Sequence, residues 1–468
     1  AMTDNAYTKQ PNDATQNIGN GSYSTADPYV KKVWDGRYTG IRMCNQLLEN
    51  IDRVPDLDPE LKKRYIGEAK VLRAYNYYEL YTKFGDIPYT TKVLSIKESM
   101  SIARTAKATV IANVLADLDE VINGNYLPTS YDADNKGRIT RWAAMAIKAK
   151  IYLFEGNWTQ VKNITSTIMT EGGFKLFGSY AGLFEIANEY NSEVILDAQY
   201  RPTSREHQMM YVFLPPTLGG YSQLSPLQEL VDSYIMLDGK TIKETGTSFD
   251  ESHPYANRDP RLKATVMYTG NSYTLADGTE VVINCEKGEG KDGYGVGSDC
   301  SATGYYIKKY WDNTYRATLY SGLNPILIRY ADILLMNAEA LAELGELDKT
   351  AWDATIKPIR DRAGFTLASA LEFPEGASKD KLIEIVRNER RSELALEGHR
   401  HKDIIRWRIA DNVLNGWCHG LKTNDVVGTD DGYVRVENRT FNANKHYLWP
   451  IPQAERDLNG NLEQNPNW

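Results

Sequence analysis

Apolar residues recur at helical spacing along most of the chain. Ile41, Cys44, Leu48 and Ile51 fall at steps of three and four and predict a helix over 37–52. Leu61, Tyr65, Ala69 and Leu72 set a second stripe. Asp58 is its expected N-cap, Pro59 its first helical residue, and Gly85 with Pro88 its stop. The pattern returns in Ile111, Val114, Leu118 and Val121, then in Ala144, Ile147, Ile151 and Phe154 behind a Thr140 cap, then in Val161, Ile164 and Ile168. It resumes after Pro325 with Leu327, Ala331, Leu334, Ala338 and Leu341. Trp352, Ile356, Ile359 and Ala363 follow, with Gly364 at the C′ position, and then a helix over 382–397.

Between 174 and 324 the helical period fades. Pro, Gly, Ser and Tyr rise, and only short β-like runs stand out, at 281–283 and 305–307. A structureless stretch of that length is usually functional or disordered, and its aromatic content points to function. The tail from Asp425 reads as loop. The chain is thus one body of helix pairs, with 1–173 and 325–422 as helical scaffold and 174–324 as an elaborated region bearing ligand loops. Short connections imply antiparallel pairs, and a unit of about 34 residues is the size of a tetratricopeptide repeat, though the period alone is too irregular to assign one.

Composition adds exclusions. A hydrophobic share of 42% with 25% charged residues supports a folded core. A net charge of −8 and the lack of any Lys/Arg-rich run argue against nucleic acid and anionic membrane surfaces as partners. No apolar run is long enough to span a bilayer, and no basic-then-apolar leader opens the sequence, so the chain is either cytosolic or starts after its targeting signal. The four cysteines form no CxxC motif. Cys44 falls on an apolar stripe and reads as core, while Cys285 and Cys300 flank a Gly-rich loop where a disulfide and free thiols are equally open.

Little in the chain resembles a catalyst. Glu389, Glu393 and Glu397 share one helix face at spacings of four, and paired carboxylates can serve glycoside hydrolysis. Arg387, Arg390, Arg391 and Arg400 are interleaved with them, and an Arg-clamped carboxylate is too acidic to act as a general acid, so a structural ion-pair network is the stronger reading. There is no HExxH, GxSxG or P-loop. The Asp132–Gly137 stretch fails the EF-hand pattern at Lys136 and Ala143, so neither metal nor cofactor is expected. A Ser/His/Asp triad stays open from sequence alone. What remains is aromatic: 31 tyrosines, several among prolines and glycines. Tyr29, Trp34, Tyr211, Tyr221, Tyr294, Trp311, Tyr315 and Tyr320 form a candidate platform on which sugar rings would stack, since such side chains offer an apolar face and a polar edge.

Several segments resemble the SusD-like (RagB/SusD) family. They are the runs 38–45 and 48–51, Gly67 to Tyr75 with Lys83 to Pro88, Asn257-Arg258-Asp259-Pro260-Arg261-Leu262, Arg329-Tyr330-Ala331-Asp332 with Ala338-Glu339-Ala340, Glu389 to Gly398, and Pro450-Ile451-Pro452 with Asn465-Pro466. The resemblance implies an all-α fold of about four TPR-like helix pairs framing a loop-rich binding region. It implies a lipid-anchored protein on the extracellular face of the outer membrane, its lipid-bearing cysteine lying ahead of Ala1. It further implies an oligosaccharide or polysaccharide ligand passed to a TonB-dependent SusC-like transporter, without catalysis. A helical glycoside hydrolase and a TPR-type peptide adaptor are the alternatives.

Overall fold

A computed structural model describes residues 1–10, 14–314 and 319–468. Helices dominate it. Strands are short and, among the described residues, form five small antiparallel sheets. The chain divides into two compact units: a helical one of Gly21–Gly172, Ile404–Asp411 and Phe441–Trp468, and a mixed one of Ala1–Asn20, Gly173–Asp403 and Asn412–Thr440.

In the helical unit, Asp27 caps a helix over Pro28–Asn50, accepting from the Tyr29 and Val30 amides with Pro28 at the first position. That start is nine residues ahead of the sequence expectation. Asp58 caps Pro59–Phe84 in the same way and Gly85 ends it at φ +72°, a conformation open to glycine. Lys107–Asn123, Arg141–Phe154 and Trp158–Glu171 complete the stack, and Thr140 caps its helix as expected. Consecutive helices pack on one another. Leu72 departs from its expected stripe and is 46% exposed, because the buried face of its helix runs through Val71, Ala74, Tyr77, Tyr78 and Tyr81.

Polar side chains pin the stack. Arg73 donates to Asn45 at 2.9 Å and to Asp117 at 2.6 Å, joining three helices. At Gly67 a Cβ would lie 2.8 Å from Tyr126, so only glycine allows the chain this close. The Asn465 amide donates to the carbonyls of Phe84 at 2.9 Å and Trp449 at 2.7 Å, while Arg104 donates to its oxygen at 2.6 Å. Asn465 thereby satisfies the open Phe84 carbonyl at the end of the 59–84 helix.

In the mixed unit, Tyr330–Leu344 packs against Lys379–Glu393. The stripe expected through Trp352 and Ala363 is broken at Thr355 into Lys349–Ala354 and Ile356–Ala363, and Gly364 ends the second at φ 103°. The 174–324 stretch holds its own core of Met210, Leu230, Tyr234, Met267, Tyr273 and Tyr306. The tail read as loop from Asp425 supplies two strands, Thr429–Asp430 and Tyr433–Arg439, of an antiparallel sheet whose third, Gly416–Lys422, falls in the stretch expected to be helical; Tyr433–Arg439 lies between the other two.

Candidate functional site

The acidic run lies inside the mixed unit. Glu389, Glu393 and Glu397 are buried, and each faces cations from other segments. Glu393 meets Arg329 at 2.6 Å and Arg261 at 2.9 Å, and also pairs with Arg362. Glu389 meets Arg261 at 2.7 Å and Arg360 at 2.8 Å; Glu397 meets Arg329 at 2.8 Å and Lys309 at 2.7 Å. Burial pushes these carboxyls up, but the cations outweigh it. Arg362, Arg329 and Arg261 hold Glu393 far below the usual carboxylate range, and Arg329 with Lys309 hold Glu397 at about 2. Such groups stay ionised and cannot donate a proton to a leaving sugar oxygen.

Ser252, His253 and Asp250 share one exposed turn. The Ser252 hydroxyl and the Asp250 carboxylate both approach Nδ1 of His253, at 3.0 and 2.9 Å. With both partners on one ring nitrogen, no proton relay runs through the imidazole. Among the described residues no cluster of His, Cys, Asp and Glu is arranged to hold a metal. Cys285 and Cys300 are buried free thiols.

The structure brings three of the expected platform rings together. Tyr211, on the short helix Met209–Phe213, and Tyr221 lie with centroids 4.2 Å apart, tilted by 30°, and the Tyr221 amide donates to the Tyr211 carbonyl at 3.0 Å. Gln208, next to that helix, donates to the Tyr320 hydroxyl at 2.7 Å. Tyr221 is 38% and Tyr320 42% exposed, and Gln208 is exposed as well, so this neighbourhood offers both aromatic and amide surface to solvent. Trp311 and Tyr294 are half-buried against the core of the 174–324 stretch. Trp311 packs at 5.2 Å on Tyr273 and donates its indole N–H to the Thr274 carbonyl.

The helical unit holds the other two described rings. Tyr29 is half-buried beside Trp449 at 6.1 Å. Trp34 was expected in a loop, but it lies within the 28–50 helix, is 3% exposed and meets Phe84 edge-on at 5.0 Å. Its ring is core, with no face left for a sugar, and its removal would cost packing. Tyr315 lies outside the described residues.

A second aromatic concavity was not anticipated. A cleft of about 920 Å³ in the mixed unit is lined by Tyr255, Tyr268, Tyr433, Asn271 and Lys422 among others. Tyr255 and Tyr268 stack at 3.9 Å with planes 16° apart. Tyr255 is held by Tyr305, whose hydroxyl donates to Gln228 at 2.6 Å. The cleft also carries the Lys422–Glu251 pair at 2.9 Å, and the Lys422 ammonium stands 5.3 Å from the Tyr433 ring. These rings come from segments far apart in sequence, so nothing in local spacing marks them.

Residues 183–468 match the model of the SusD family, and residues 1–153 match one described as starch-binding, associating with the outer membrane. The chain belongs to the SusD family. It is 28% identical over 439 residues to SusD-like protein P25 of Formosa agariphila, covering 86% of this chain and 77% of that one. Its structure resembles a SusD-like carbohydrate-binding protein of Bacteroides fragilis at a TM-score of 0.88, with 29% identity and 99% and 91% of the two chains covered. A laminarin-binding SusD-like protein shares the fold at a TM-score of 0.74, with 24% identity over 100% and 93% of the chains. In this SusD member the segments that carried the resemblance are scaffold. Arg261, Arg329 and the Glu389 to Glu397 run build the buried ion-pair network, and Arg73 and Asn465 pin the helical unit.

Proposed function

We propose that the chain is a non-catalytic, lipid-anchored glycan-binding protein of the extracellular face of the outer membrane. It holds an oligosaccharide or polysaccharide and delivers it to a TonB-dependent SusC-like transporter. The observation that carries the reading is the solvent-facing Tyr211–Tyr221 pair with Gln208 and Tyr320 beside it. Ring faces suit the apolar faces of sugars, and the amide and hydroxyls suit their hydroxyl groups. Family membership and the carbohydrate-binding relative of similar structure support the ligand class. The ligand loops belong to the 174–324 stretch, whose core also carries Trp311 and Tyr294. An open surface pays ordering and desolvation terms, so affinity falls at about −4 to −8 kcal/mol, millimolar to micromolar.

The ionised, cation-locked glutamates support the non-catalytic half. Incubating the chain with β-glucan, α-glucan and mannan panels is expected to give saturable binding and no new reducing ends. Sustained turnover would overturn the binding-only reading.

A further inference from the structure

The helical unit carries a cavity of about 530 Å³ outside the aromatic surfaces described above, lined by Leu61, Arg64, Asn125, Leu127, Thr129 and Arg141 among others. Its two arginines are unlike their neighbours. Arg138 is bonded to both oxygens of Glu68, at 2.8 and 2.6 Å, and Arg73 is bonded to Asp117. Arg64 and Arg141 meet no carboxylate among the described residues within ion-pairing distance. Their Nε atoms are buried and have no hydrogen-bond partner.

Arg64 is held against two rings, its guanidinium 5.5 Å from Tyr65 and 5.7 Å from Tyr131, and it acts on the exposed Asp132 carboxylate without forming an ion pair. Arg141 opens the 14-residue helix Arg141–Phe154, so the positive end of that helix lies at the same wall. Two carboxylates also line the cavity. That of Asp58 accepts from the Leu61 amide at 2.8 Å and keeps its charge, and Glu60 is exposed, but neither forms an ion pair with Arg64 or Arg141. Neither arginine is therefore locked in an ion pair, and a guanidinium presents a donor fork that matches the oxygens of a carboxylate or a sulfate. The remaining wall alternates apolar Leu61 and Leu127 with the amide of Asn125 and the hydroxyl of Thr129. That mixture, in a cavity within the usual range for small ligands, suits a saccharide unit more than a bare ion.

We propose that this cavity binds an acidic sugar residue, its carboxylate or sulfate seated between Arg64 and Arg141. The proposal rests on the glycan-binding reading for its sugar half only.

The test is NMR of the full chain, following arginine Nε–Hε signals during titration with glucuronate, glucose 6-sulfate, glucose and sodium sulfate in low salt. Glucuronate or glucose 6-sulfate is expected to shift the Arg64 and Arg141 signals, and the stronger of the two identifies the oxyanion. Glucose should leave them still, and sodium sulfate should bind at least tenfold more weakly. The Arg64→Gln, Arg141→Gln variant should lose at least tenfold in affinity for the acidic sugar while titrating with neutral glycans as the native chain does. Tyr221→Ala should leave the acidic-sugar shifts in place, which separates failure here from failure of the glycan surface. Equal response to glucose, equal affinity for sulfate ion, loss of the shifts in Tyr221→Ala, or undiminished binding by the double variant would each overturn the proposal. Should the double variant not fold, the native signals alone decide it.

Discussion

The ion-pair network around Glu393 and the tyrosine surface around Tyr221 belong to the same unit and use opposite chemistry. The first gathers Glu193, Glu393 and Glu397 with Arg261, Arg329 and Arg362, all sealed from water. The second offers neutral rings and one amide to solvent. In the sequence the first is conspicuous and resembles a catalytic run, while the second is a few tyrosines scattered among loop residues. Density of charged residues thus marks where distant segments must be locked together. The proposed binding surface is built instead from groups that keep their faces free because they have no locking to do.

The sharpest way to break this contrast is Glu393→Ala. It would leave Arg329, Arg261 and Arg362 short of a shared buried partner, and we expect a loss on the order of 3–5 kcal/mol in urea unfolding. Any chain that stays folded should titrate with glycan as before. A stable variant with lost binding would place the acid in the binding site instead.

Acid should act on the network next. Glu397, held at about 2 against an ordinary 4.5, has a depressed folded-state pKa. Its contribution is therefore complete above about pH 4.5 and drains away as pH falls toward about 2, a loss of roughly 3 kcal/mol from this one group. A urea midpoint that stays level between about pH 5 and 3 would contradict the locked-carboxylate picture.

Tyr221→Ala is the smallest perturbation to stability and the most specific to function. The ring is partly exposed, so unfolding should shift by no more than about 0.5–1 kcal/mol. Glycan affinity should fall by about 1–1.5 kcal/mol, roughly tenfold, through loss of one stacking face. Unchanged affinity in calorimetric titration would remove the Tyr211–Tyr221 pair from the site.

Much of the scaffold was legible because its signals are local. Asp58, Pro59 and Gly85 bound one helix, Thr140 starts another and Gly364 stops a third, each within a turn of the residue it acts on. The Asp27–Pro28 start carries the same signal and was hidden only because Lys31, Lys32 and Asp35 dilute the apolar stripe behind it. The 416–439 sheet was missed for a different reason. Its strands are rich in Lys, Arg, Glu and Gly, and two register shifts interrupt the alternation that would betray a strand. The site was legible by residue type and not by position. Trp34 and Tyr221 are both aromatic residues outside the expected helices, and only the packing of Trp34 on Phe84 and Tyr38 marks it as core. Tyr255, Tyr268 and Tyr433 meet across a fold whose pairing no spacing records.

The clasp of Asn465 on Phe84 also bears on how the chain is made. The helix 59–84 is made long before Asn465, whose amide bonds its Phe84 carbonyl from 381 residues further on. Every intervening segment, the mixed unit's long middle stretch included, must be threaded out first. The helical unit therefore reaches its finished form only once Asn465 has been made, however early its first turns take shape.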